Sequence, residues 1–160
     1  MLALLAAGCA TPPMAIPVGA PQREVSARLG TPSSVYPPAT PSTGARWEYD
    51  TGRWGQKTWM VDFGADDRVV AVSQAMTMHH FFEIRTGVDD MAAIRREFGN
   101  PVRIVAYPMA GLTSWEYPYK ENPISNSLMS VEFDAAGLVR RVESGPDPLF
   151  DVDGGGRGRK

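Results

Sequence analysis

The chain has 160 residues, 43% of them hydrophobic, with 16 Lys and Arg against 18 Asp and Glu for a net charge of −2, and its pI is near 5.7. That is enough apolar material for one compact unit, or two small ones sharing a core, without help from disulfides or metal. No broad basic surface is available to neutralise a phosphate backbone, which sets nucleic acid aside as a partner. Four Trp, five Tyr and six Phe are far from the aromatic-poor signature of disorder.

The first ten residues, MLALLAAGCA, hold an apolar run, two small residues and the single cysteine, Cys9. This order resembles a bacterial lipobox, in which a peptidase cuts before a cysteine that then carries acyl chains. The apolar run is too short to span a bilayer and lacks a basic segment before it, so either the chain was trimmed or its true start lies upstream. The resemblance implies that 1–8 are a partial signal peptide and that Cys9 is the lipidation site, each buried methylene contributing about 0.8 kcal/mol to anchoring. Ala10 stands where an Asp would argue for inner-membrane retention, so outer-membrane delivery is implied.

Residues 9–17 are rich in Pro, Ala and Thr and read as a short extended tether, because proline blocks helix and sheet hydrogen bonding. A duplication follows. Gly19 corresponds to Gly87 at an offset of 68, Gly30-Thr31-Pro32 to Gly99-Asn100-Pro101 at 69, Trp47-Glu48-Tyr49 to Trp115-Glu116-Tyr117 at 68, and Val61-Asp62-Phe63 to Val131-Glu132-Phe133 at 70. Four blocks in one order, with gaps in Pro- and Gly-rich stretches, delimit two repeats, 18–78 and 79–146.

Each repeat opens with a helix. In the second, Val88, Met91, Ile94 and Phe98 share one face; Thr86 reads as the N-cap with Asp89 three residues on, Arg95 and Arg96 suit the C-terminal end of the dipole, and Gly99 and Pro101 end it. The first repeat has Pro21 at the start, Val25 and Leu29 on the apolar face, and Gly30 and Pro32 at the exit. Such short helices need a surface to pack on. Period-two segments supply one: Trp47 and Tyr49 alternate with Arg46, Glu48 and Asp50, and Trp59, Val61 and Phe63 with Met60 and Asp62. The second repeat has a row of Trp115, Tyr117 and Tyr119, another of Met129, Val131 and Phe133, and a further strand at Arg103 to Tyr107. FGADDRVVAV and FDAAGLVRRV read as turns into a last strand, Val69 to Ser73 or Leu138 to Glu143. The expected fold is α+β: two tandem helix-plus-antiparallel-strand repeats, forming a largely antiparallel sheet with helices on one face. Residues 147–160 read as a disordered Gly-rich tail.

The Leu29-Gly30-Thr31-Pro32, Trp47-Glu48-Tyr49 and Phe63-Gly64 blocks, with Phe98-Gly99-Asn100-Pro101, Trp115-Glu116-Tyr117, Phe133-Asp134 and Gly137 in the second copy, resemble the SmpA/OmlA (BamE) family of small outer-membrane lipoprotein domains. The two-copy arrangement is similar to the beta-lactamase inhibitory protein family, whose repeats share one sheet with a concave binding face. The first resemblance implies a protein-binding or scaffold lipoprotein on the periplasmic face of the outer membrane, with envelope proteins or the outer-membrane assembly machinery as partners. The second implies an inhibitor or regulator of a secreted or periplasmic enzyme.

No nucleophile elbow, zinc-ligand spacing or phosphate loop is present, so the expectation is a non-enzyme without cofactor or metal. His79 and His80, adjacent on a junction strand or linker, would point to opposite faces and could not readily clamp one ion. Asp151-Val152-Asp153-Gly154 matches half a calcium loop but lacks its later ligands. Glu48 and Glu116 read as duplicated outward-facing strand residues rather than an acid/base pair. Trp47, Tyr49, Trp115 and Tyr117 either pack beneath the helices or, with Trp54 and Tyr119, form a protein-binding surface on the open sheet face, where Trp and Tyr serve as anchors. Trp54, in the turn TGRWGQK, is the residue expected to be exposed.

Overall fold

The computed structural model describes residues 12–50, 56–122 and 124–150. Cys9, Trp54, the half calcium loop and the first eight residues lie outside them. The chain is α+β with two antiparallel four-stranded sheets and few helices, and it divides into two compact units, one built from residues up to Tyr49 plus Trp59–Ser73, the other from Asp50–Thr58 plus Gln74 onward.

In the first unit α1 (Gln22–Leu29) precedes β1 (Ser34–Tyr36), β2 (Thr43–Asp50), β3 (Thr58–Gly64) and β4 (Val69–Gln74), which pair in that order. Pro21 starts the helix, and Gly30 ends it at φ 81°, a backbone region that a side chain would strain. Val25 of α1 joins Tyr49, Val61, Phe63 and Val69 in one core, with Leu29, Trp47 and Trp59 packed against it. Ile16, placed in the tether from sequence, belongs to this core as well. The folded body therefore begins before residue 18, with Pro13–Ala15 forming a single 3-10 turn.

In the second unit α2 (Met78–Phe82) and α3 (Met91–Phe98) precede β5 (Arg103–Tyr107), β6 (Leu112–Lys120), β7 (Asn126–Phe133) and β8 (Val139–Pro146), again paired in chain order. Ile94 and Phe98 of α3 enter a core with Phe81, Trp115, Tyr117, Tyr119, Met129, Val131, Phe133 and Val139. Five expectations change here. The N-cap of α3 is Asp90, which accepts from the Ala93 N–H at 2.8 Å, not Thr86; Asp89 instead accepts from the Arg85 N–H at 2.8 Å and pairs with its guanidinium. Val88 consequently precedes the helix and is exposed. His79 and His80, expected on a junction strand or linker, lie in the short helix α2, and the repeat boundary at 78/79 falls inside it. Residues 147–150, assigned to the tail, form a turn whose Asp147 is buried.

The strands form two sheets, one per repeat, where a single layer was expected. Within each unit the same local bonds recur. Gly19 and Gly87 donate to Val69 O and Val139 O, both at 2.7 Å, and Gly30 and Gly99 to Ser26 O and Arg95 O at 2.9 and 2.8 Å. The Tyr49 and Tyr117 hydroxyls donate to the carbonyls of Gly30 and Gly99 at 3.3 and 3.2 Å. Trp47 meets Phe63 with ring centroids 4.8 Å apart and Trp115 meets Phe133 at 4.9 Å, both steeply inclined. A tyrosine hydroxyl thus caps the carbonyl of the glycine at each of these two helix exits, tying it to the second strand of its sheet.

Candidate protein-binding face

Register assigns every side chain of the second sheet to a face, because directly opposed residues share a side. One face carries the row Ile104, Trp115, Val131, Val142, with Tyr117 beside Met129. This is the aromatic row of the sequence, and it is core: Trp115 is 5% exposed, Tyr117 and Tyr119 0%. The Tyr119 hydroxyl is 2.6 Å from Ser144 Oγ, and the Arg95 guanidinium lies 4.8 Å from the centre of the Trp115 ring. In the first unit Tyr49 is buried and Trp47 partly so. Of the six aromatics proposed from sequence as binding anchors, Tyr49, Trp115, Tyr117 and Tyr119 are therefore structural, Trp47 packs against a core, and Trp54 lies outside the described residues.

The opposite face is built from the residues between them. Arg103 faces Glu116, which faces Ser130 and then Glu143; Val105 faces Ser114, then Glu132 and Arg141. Glu116 was expected to point into water, but it is 7% exposed, and Glu48 in the first unit is 1% exposed. A buried carboxylate needs a partner, and each has one from its neighbouring strand. The Arg103 Nε donates to Glu116 Oε2 at 2.6 Å, and the Tyr36 hydroxyl to Glu48 Oε2 at 2.6 Å. Glu132 accepts two bonds from the Arg141 guanidinium, at 2.9 and 3.0 Å, a planar two-point match. Asp62 takes the same part in the first unit, holding Arg46 at 2.6 and 3.0 Å.

Beside this ion-paired patch the second sheet has a groove of about 480 Å³. Its apolar wall comes from Val102, Pro118, Leu128 and the turn at Pro148–Phe150; Arg103 and Glu116 form its charged end. Pro118 explains why the groove exists. A central strand rarely accepts proline, which has no N–H for the ladder, yet β5 pairs no further along β6 than Arg103 opposite Glu116. Beyond that point Val102 N still donates to Glu116 O at 3.0 Å, and Pro118 lies past the end of β5 with Val102 and Leu128 beside it on the groove wall. Asp147, 2% exposed, closes the groove from below: its Oδ1 accepts from the Leu149 N–H at 3.0 Å, and Oδ2 has no hydrogen-bond partner among the described residues.

A second depression of about 290 Å³ lies between α2 and α3, floored by Ile84, Ala93, Ile94 and Phe98 and rimmed by His80, Glu83, Arg85, Asp89 and Glu97. Burial raises the Asp89 pKa, but the hydrogen bonds and charge of Arg85 outweigh it and hold the carboxyl below its ordinary value. His80 Nδ1 lies 3.2 Å from Ala75 O and His79 Nε2 lies 3.6 Å from Glu83. Among the described residues no group of three His, Cys, Asp or Glu side chains converges as a metal site would require, and no helix is long and apolar enough to cross a membrane.

No protein-family model matches the chain, and no curated protein matches it. A solved structure of a DUF4309 family protein (YjgB) from Bacillus subtilis is similar over 80% of this chain and 79% of its own, at 12% identity and a TM-score of 0.31. Similarity of that degree carries no conclusion about fold or function.

Proposed function

We propose that the chain is a non-enzymatic binding or scaffold lipoprotein of the cell envelope, anchored through Cys9 to the periplasmic face of an outer membrane, and that the outer face of the second sheet receives its protein partner. The observation that supports this most is the pairing of an apolar groove with charges already satisfied by one another. Arg103 with Glu116 and Arg141 with Glu132 offer a fixed pattern of donors and acceptors around apolar walls, the make-up of a protein-binding patch. Groups engaged in this way suit recognition better than proton transfer, which needs a group free to change its protonation. The arrangement in which, within each unit, a helix packs on one side of the sheet and leaves the other for partners belongs to this reading. The enzyme-inhibitor alternative would use the same face, but without the aromatic anchors first assigned to it.

The test places a photo-crosslinking amino acid at Leu128 in the groove and, as a control, at Val70 on β4, in cells producing the full chain. Leu128 should capture one defined envelope protein, and Val70 should not. Capture from both positions alike, or from neither, refutes the assigned face. Fractionation of a Cys9→Ala variant tests the anchor separately; normal membrane association after that change refutes lipidation at Cys9.

A further inference from the structure

We infer that β5 is an interaction edge and that its occupant is β5 of a second copy of this chain, paired antiparallel about Val105. The inference does not depend on the envelope reading, because it rests on main-chain geometry. β5 is terminal in its sheet and bonded along its length to β6 only, and among the described residues no main-chain hydrogen bond leaves its outer side. Alternate N–H and C=O groups there point away from β6, a template for another strand.

Folded proteins generally blunt such an edge with charge, proline or cover. The other terminal strand of this sheet is blunted so: β8 carries Arg140, Arg141 and Glu143 and ends at Pro146. β5 is not. Its single charge, Arg103, is held by Glu116, while Ile104 and Tyr107, with Val102 and Met109 flanking, are exposed. Ile104 lies on the core side of the sheet, opposite Trp115, so the apolar row of the interior runs out to this edge and stops uncovered.

The strand RIVAY is complementary to itself in one register. A two-fold axis at Val105 sets Arg103 opposite Tyr107 of the second copy, Ile104 opposite Ala106, and Val105 opposite Val105. A large residue meets a small one on the core side. On the other side a guanidinium meets an aromatic ring, a favourable contact, and no like charges face each other. Other occupants, such as an extended segment of a different protein, would need no such self-match. A five-residue strand pair buries less than the roughly 1,200–2,000 Å² of a standard stable interface, so the dimer is weak, with a dissociation constant on the order of micromolar or above.

The experiment is sedimentation velocity on the full chain carrying Cys9→Ser, from roughly 5 to 300 μM, bracketing a micromolar constant. A concentration-dependent dimer is expected, and Ile104→Lys should weaken it at least tenfold while leaving the circular dichroism spectrum unchanged. In the same background Val105→Cys should oxidise to a disulfide-linked dimer in high yield, since directly opposed Cβ atoms lie about 4.5–5.5 Å apart, whereas Val70→Cys should not. A monomer throughout the range, a dimer indifferent to Ile104→Lys, or equal crosslinking at Val105 and Val70 each overturns the inference.

Discussion

Phe133 offers the sharpest test of the second core. Its side chain is 0% exposed, its ring lies 4.9 Å from that of Trp115, and it shares a cluster with Val131 and Val139. An aromatic side chain of this kind buries about 150–250 Å², which at about 25 cal/mol per Å² gives roughly 4–6 kcal/mol as an upper figure. Measured Phe→Ala changes in cores cost about 3–5 kcal/mol, so Phe133→Ala should lose about 3–4 kcal/mol, a large part of the 5–15 kcal/mol typical of a domain. With a urea slope of about 1–3 kcal/mol per molar, the unfolding midpoint should fall by roughly 1–4 M. Hydrogen exchange provides the local readout: protection should fall first in β6, β7 and β8. The equivalent Phe63→Ala should cost somewhat less, because Trp47, the ring it meets, is less buried than Trp115. A loss below about 1 kcal/mol for Phe133→Ala, well under the cavity cost, would refute the placement of this ring and with it the register of β7.

Two further predictions probe the first unit. A Cβ added at Gly44 would collide with the carbonyl oxygens of Gly64 and Phe63 on the facing strand, whereas one added at Gly145 meets nothing within 4 Å; Gly44→Ala should therefore lose about 2 kcal/mol or more in a urea titration, typical of overpacking, and Gly145→Ala less than about 0.5. The Tyr49 phenol is raised by burial from 10.0 to about 12. Its folded pKa lies above the unfolded value, so the unfolded chain loses its proton first as pH rises. Stability is full below pH 10 and declines between pH 10 and 12, by about 2–3 kcal/mol in total. Ultraviolet titration should show a phenol ionising near pH 12 that Tyr49→Phe removes; a wild-type protein without such a late phenol contradicts its burial.

What could be read beforehand divides along a physical line. Ile94 and Phe98, and the strand rows through Trp115 and Met129, were legible because apolar periodicity reports the buried side of an element. Gly30 and Gly99 were legible because a left-handed exit favours glycine. Glu48 and Glu116 were misread because alternation distinguishes two faces but not what covers the second; their partners, Tyr36 and Arg103, lie twelve and thirteen residues away on another strand. β1 has three residues and α2 five, too short for either period to register. Comparing the repeats could have found β1, since Ser34 stands 69 residues before Arg103. The groove was invisible for a different reason: it exists where a strand ends, and only pairing shows where β5 stops relative to Pro118.

The comparison of the two units bears on the proposed binding face. What recurs between them is the frame: glycine exits, tyrosine hydroxyls on their carbonyls, Trp–Phe contacts and the bonds from Gly19 and Gly87. What differs is the face away from the aromatics. The inner glutamate of the first unit accepts from the Tyr36 phenol and that of the second from the Arg103 guanidinium, and Asp62 pairs with Arg46 on β2 where Glu132 pairs with Arg141 on β8. Arg46 of β2 has no counterpart on β6, where Ser114 stands 68 residues on; the arginine partners of the second unit are Arg103 on β5 and Arg141 on β8. A frame kept in duplicate while one outer face is rebuilt fits a division of labour in which both units supply stability and the second supplies recognition. Leu149→Lys, at a 76% exposed position on the groove wall, should then abolish capture at Leu128 while changing the unfolding free energy by no more than about 0.5 kcal/mol, the usual range for exposed positions. Loss of stability in parallel with capture would show that the face and the frame are one structure.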